Sequence, residues 1–144
     1  MSEDEFQRFV TAQNGVLDEV EAELADGFKI SHWMWFVFPQ LAGLGTSAMA
    51  QRYAIMDAAE AARYLAHPIL GERLRHAVRL MMRHEDLSAL DILGSPDDLK
   101  FRSSVTLFLS VATDAADIAL FRSALDRFYE GAADPKTLEL LKRS

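Results

Sequence analysis

Phe28-Lys29-Ile30-Ser31-His32-Trp33-Met34-Trp35-Phe36-Val37-Phe38-Pro39-Gln40 is the stretch whose reading decides the fold. It is rich in strand formers. A strand would put Trp33 and Trp35 on one face, whereas a helix sends them to different sides. Ser31 can cap a helix, and Pro39 forces one to stop before it. Both readings are open from the residues alone. The favoured one is a short, fully buried helix.

The flanks read as helices punctuated by glycine and proline. Residues 4–26 carry Phe6, Phe9, Val10, Leu17, Val20 and Leu24 at helical spacing, with a break at Asn14-Gly15 and a stop at Gly27. A short helical piece after residue 47 leads to a helix over Asp57–Ala66, and His67-Pro68 marks its boundary. The next helix runs to about His84, with Leu70, Leu74, Ala77, Val78 and Met81 as its core stripe. Arg75, Arg79 and Arg83 recur at i, i+4, i+8 on another face, either a solvated face or an anion-binding surface. A short helix over 88–93 ends at Gly94. Ser95-Pro96-Asp97-Asp98 reads as a helix start, with Ser95 capping and Pro96 in the first position. That helix extends to about Ala112, with Leu99, Phe101, Val105, Phe108 and Leu109 supplying apolar contacts. Asp117–Glu130 and a last helix from Asp134-Pro135 complete the chain. The expectation is an all-α, irregular compact bundle of about seven to nine helices, forming a single domain over residues 1–144.

Composition excludes several function classes. Half of the 144 residues are apolar, enough for a core without covalent staples. The absence of cysteine removes disulfides, zinc–thiolate sites, iron–sulfur clusters and thiol nucleophiles. The net charge of −7 is concentrated at the start: residues 1–26 hold eight acids and one base, Arg8. With no basic surface, nucleic-acid binding is disfavoured. The acidic N-terminus is unlike a signal peptide, and the apolar run Trp33–Phe38 is too short to span a bilayer, so a cytoplasmic, soluble protein with no membrane role is expected.

No phosphate loop, dinucleotide-binding glycine pattern, nucleophile elbow or zinc-binding histidine pair is present, so no cofactor or metal is called for. Gly43-Leu44-Gly45 has no strand before it and reads as a turn needing positive φ. His32, inside the aromatic run, is expected to be at least half buried, either a satisfied core histidine or a catalytic group. His67 reads as a local cap or loop contact, or as part of a site. His76 and His84 read as surface. Lys29 and Lys100 are two of only four lysines. Lys100 lies in the first turn of its helix, against the dipole, and needs compensation from Asp97 or from a bound anion. Ser103 and Ser104 lie at i+3 and i+4 from Lys100. They would let helices approach closely, or Ser104 would act as a lysine-activated nucleophile.

Lys29 to Gly45, Tyr64 to Leu74, Pro96 to Phe108 and the opening F-x-x-F-V-x-A-Q together resemble the bacterial domain-of-unknown-function family 1810. The resemblance covers nearly the whole chain, and Val105 stands where methionine is expected. It implies a small all-α domain and no activity. It marks Lys29, Ser31, His32, Trp33, Trp35, Gln40, Tyr53, His67, Lys100, Ser103 and Ser104 as the stretches' hallmark residues. Some members carry a calpastatin label, but a long disordered inhibitor repeat is unlike this aromatic-rich, patterned chain.

Two functions follow as expectations. One is binding or processing of an anionic, phosphate-bearing small molecule, nucleotide-like or ADP-ribose-like. Trp33, Trp35 and Tyr53 would provide a stacking wall, with Lys29, Gln40, His67 and Ser103 as polar ligand contacts and His32, Lys100 and Ser104 as catalytic candidates. The other is a non-enzymatic protein-interaction module using the acidic N-terminal helix.

Overall fold

The computed structural model describes residues 5–143, and the opening acids Glu3 and Asp4 lie outside them. Among the described residues there are ten helices, one more than the expected range, and no strand. They are α1 (Gln7–Asn14), α2 (Leu17–Asp26), α3 (Met34–Val37), α4 (Ala48–Arg52), α5 (Ala58–Ala66), α6 (Leu70–Met82), α7 (Ala89–Leu93), α8 (Asp97–Val111), α9 (Ala115–Tyr129) and α10 (Pro135–Arg143). None is long and apolar enough to cross a membrane.

The deciding stretch forms a helix of a single turn, α3, closed before Pro39. Trp33 sits at its N-cap and is fully buried, while Trp35 is half-buried, so the two indoles take different environments as a helix requires.

Local chemistry explains most helix ends. Ser47, Asp57 and Asp114 accept backbone N–H groups at the starts of α4, α5 and α9. Ser88 and Asp91 form a reciprocal capping box at α7. The start of α8 differs from expectation: Pro96 occupies the N-cap position and no side chain caps it, so Ser95 lies outside the helix.

Helix α8 is the centre of the molecule and packs against α5, α7, α9 and α10. Every residue from Phe101 to Phe108 except Arg102 is buried or nearly so. A helix apolar or small on all sides can only be surrounded. Ser103, Ser104 and Thr106 are small enough to admit neighbouring helices on the faces between the aromatic rings. Leu99, one turn from the start, is 56% exposed and makes no core contribution. The second hub is α6, which meets α2, α3, α5 and α9. Rings tie α8 to α5 and to the residues after α3: Tyr64 on α5 lies 5.3 Å from Phe108 and 5.2 Å from Phe9 on α1, and Phe38 meets Phe101 edge-on at 4.8 Å. Each such buried ring contributes about 2–3 kcal/mol through burial. Of the arginine stripe, Arg75 binds both oxygens of Asp117 at 2.6 and 3.0 Å and also the Leu65 carbonyl, so it ties α6 to α9 and to the end of α5.

Candidate functional site: a lysine pair over two tryptophans, beside a small cleft

The site begins with one acid on α2. Glu23 is buried, although a helical periodicity would sort it outward. Its carboxylate accepts the Ile30 amide at 2.8 Å, the Ser31 amide at 2.9 Å, the Ser31 hydroxyl at 2.6 Å and the Trp33 indole N–H at 3.0 Å. Burial pushes its pKa up, but the donors from Ser31, Ile30 and Trp33 outweigh burial and hold it down at about 2. The acid is therefore a fixed anion that clamps residues 30–33 onto α2.

Between α2 and α3 the chain forms no regular element and bends at Ser31 and His32, and exposure alternates from residue to residue along it. Phe28 and Ile30 point outward, while Lys29 turns in, its side chain only 7% exposed. Its ammonium lies 2.9 Å from Asp97 Oδ2 and 5.0 Å from the Trp33 ring centroid. Asp97 stands in the first turn of α8, where a carboxylate is favoured by the helix dipole. Its other oxygen faces the Lys100 ammonium at 3.7 Å, and that ammonium lies 5.5 Å from the Trp35 ring centroid. One carboxylate thus serves two cations, each over its own indole. Lys29 is satisfied by a short ion pair. Lys100 is the looser cation, 28% exposed, with three N–H donors and only a long contact to Asp97.

Trp35 also lines a cleft of about 190 Å³ with Gln40, Tyr53, Gln51, Gly43 and Gly45. A single parallel bridge builds its floor: Ile55 donates to the Gln40 carbonyl at 2.9 Å, and Ala42 donates to the Ile55 carbonyl at 2.7 Å. The Gly43–Gly45 turn then folds back. Gly43 has φ +102°, as the turn reading expected, and a Cβ on Gly45 would come within 2.6 Å of the Ala50 Cβ, so α4 can close over the turn only because residue 45 is glycine. Tyr53 is fixed by rings of Phe36 at 5.2 Å and Phe9 at 5.5 Å. Among the described residues, nothing hydrogen-bonds the Gln40 side-chain amide or the backbone N–H groups of Gly43 and Gly45.

The structure therefore brings Lys29, Trp33, Trp35 and Lys100 together, with Gln40 and Tyr53 joined to them through Trp35. The other named residues stand elsewhere. His32 is exposed, not half-buried: alternation through residues 28–33 sends it outward, and it has no partner among the described residues. His67 Nδ1 accepts the amides of Ile69 and Leu70 at 3.1 and 3.2 Å, capping the α5–α6 joint. Ser103 donates to Asp134 Oδ2 at 2.8 Å and so ties α8 to the start of α10. Ser104 is buried with its hydroxyl unpartnered, so no Lys100–Ser104 hydrogen bond exists. Of the two histidines read as surface, His76 is exposed and pairs with Glu21 at 2.6 Å, but His84 is part-buried and holds the Leu24 carbonyl. No group of three or more His, Asp or Glu side chains among the described residues is placed to hold a metal ion.

Glu23, Asp97 as the shared acid and the free amides of the glycine turn were not foreseen as site components. The sequence signals for them were Gly43-Leu44-Gly45 for the turn and the i, i+3 spacing of Asp97 and Lys100, while Glu23 had none.

The model of a family described as protein of unknown function, DUF1810, matches residues 3–141. The chain belongs to the DUF1810 family. Among solved structures, the crystal structure of the conserved hypothetical protein Rv1873 from Mycobacterium tuberculosis is similar, with 44% identity over 95% of this chain and 96% of that one and a TM-score of 0.91. Among curated proteins, none matches. The DUF1810 match spans every element of the lysine–tryptophan site and the cleft beside it.

Proposed function

We propose that this DUF1810 protein binds a flat, ring-bearing anion of the nucleotide or ADP-ribose type, with the ring in the cleft against Trp35 and Tyr53 and the anionic group at Lys100. The observation that carries the reading is that one side chain, Trp35, both lines the cleft and lies beneath the ammonium with spare hydrogen-bonding capacity. An apolar wall with a few unpaired polar groups is the usual form of a small-molecule site. The cleft is smaller than the roughly 300–1,000 Å³ of drug-sized pockets, so it takes one ring system and leaves the charged part outside. Gln40 and the Gly43 and Gly45 amides suit the hydrogen-bonding edge of a base. Lys29 acts as a positioning residue: its ion pair orients Asp97, which in turn steers Lys100. Among the described residues, no side chain lining the cleft pairs a nucleophile with a base, so the reading is one of binding.

The test is a thermal-shift series with AMP, adenosine, ADP-ribose, NAD and inorganic phosphate. A ligand at a hundred times its dissociation constant adds about 2.7 kcal/mol, a shift of a few degrees. AMP is expected to stabilise the protein more than adenosine. Lys100→Ala should remove that difference, and Gln40→Ala should weaken both. No shift with any ligand, or shifts identical in both variants, overturns the proposal.

A second reading, an interaction module, is favoured by α2, on which Asp18, Glu19 and Asp26 all face solvent.

A further inference from the structure

The segment that carries Lys29 inward carries two large apolar side chains outward. Phe28 is 63% exposed and Ile30 71% exposed, and Leu90 on the adjoining α7 is 53% exposed. Isolated exposed apolar residues are ordinary. These stand on a backbone that is held at every amide. Phe28 donates to the Glu23 carbonyl at 3.0 Å, Lys29 to the Ile92 carbonyl at 2.7 Å, and Ile30 and Ser31 to the Glu23 carboxylate. The fold thus fixes Phe28 and Ile30 in water beside α7. Presenting apolar anchors on an already ordered backbone lowers the ordering cost of association, which is how interface anchors gain affinity.

The charges around the anchors select the partner. Asp26 precedes Phe28 and Asp91 follows Leu90, and both are exposed. The loop after α6 lies against Gly27, where an added Cβ would meet Leu87 and His84, and it exposes Glu85 and Asp86. Of the nearby bases, Lys29 is turned in to Asp97, Arg127 donates to the His84 carbonyl and Arg83 is exposed. The rim is acidic on balance. A second copy of the chain would set acids against acids.

We infer that Phe28, Ile30 and Leu90 form a docking surface for a basic, amphipathic segment of another protein. Apolar side chains of that segment would cover the three anchors, and its lysines or arginines would meet Asp26, Asp86 and Asp91. The inference is independent of the small-molecule cleft.

The test uses a fluorescent synthetic helix of leucine and lysine with one apolar face, and a shuffled peptide of the same composition without such a face. Binding to the full chain is followed by anisotropy at low and at physiological salt. The amphipathic peptide is expected to bind about tenfold tighter than the shuffled one, and Phe28→Ser/Ile30→Ser to remove that advantage. Asp26→Asn/Asp91→Asn should keep the preference but flatten its salt dependence. Both anchor positions are exposed, so the double variant should retain the wild-type circular dichroism and melting temperature. Binding by neither peptide, equal binding of both, or an unchanged preference in Phe28→Ser/Ile30→Ser overturns the proposal. So does a concentration-dependent dimer of the wild type that the same variant dissolves, because it would assign the patch to a second copy.

Discussion

Glu23→Gln removes the charge on which four donors converge while keeping the shape of the side chain. In the folded protein the carboxyl titrates at about 2, against an ordinary glutamate value of 4.5. That difference corresponds to about 3 kcal/mol of stability at neutral pH. The sign follows from proton binding. The folded state binds the proton more weakly than the unfolded state, so the contribution is complete above about pH 4.5 and is lost as pH falls towards 2. Near pH 3 about 2 kcal/mol of it is gone. In the variant, the amide N–H₂ confronts the donors of Ser31 or Trp33, and a buried indole N–H left without an acceptor carries its full desolvation cost. Urea unfolding of both proteins at pH 7 and near pH 3 checks this. The wild type should be more stable by about 3 kcal/mol at pH 7, and the gap should shrink to about 1 kcal/mol near pH 3. A gap of the same size at both pH values would refute the electrostatic reasoning, and no gap at pH 7 would refute the clamp itself.

Two further substitutions test packing. Ser104→Ala deletes a buried hydroxyl with no partner, so unfolding free energy should stay level or rise by up to about 1 kcal/mol, and a clear loss in urea would reveal an acceptor that the structure does not contain. Gly71→Ala should cost about 2–3 kcal/mol in a thermal melt, because its Cβ would stand 2.1 Å from the Leu65 carbonyl oxygen and force α5 off α6; an unchanged melting temperature would contradict that close approach.

What could be read from the residues was what local chemistry decides. Asn14-Gly15, Gly27, Pro39, Gly94 and Asp134-Pro135 each fall at a helix end because turn residues act within a few positions of themselves. The all-α class followed from the same punctuation. Lys29, Trp33, Trp35 and Lys100 stood out through unusual surroundings, and the structure brings them together. The pairing of Asp97 with Lys100, three residues on, was legible in the sequence, whereas the reach of Lys29 to the same carboxylate from far along the chain has no local signature. Periodicity also sorts polar side chains outward, so it hid Glu23 under Trp33 and Thr137, which is wholly buried and bonded to Asp134. Leu99 fails in the opposite sense: helical phase places it, but no neighbouring element arrives to cover it. His32 is exposed although its neighbours are aromatic, because the segment that carries it alternates between solvent and core from one residue to the next.

The cleft beside Trp35 is tested most directly by titrating AMP into isotope-labelled protein and following every backbone amide together with the two indole N–H signals. The account predicts that Trp35, Gln40, Gly43, Gly45 and Lys100 shift together along one binding curve, while His67 and Ser103 stay still. Shifts confined to other parts of the surface, or none at all up to millimolar AMP, would contradict it.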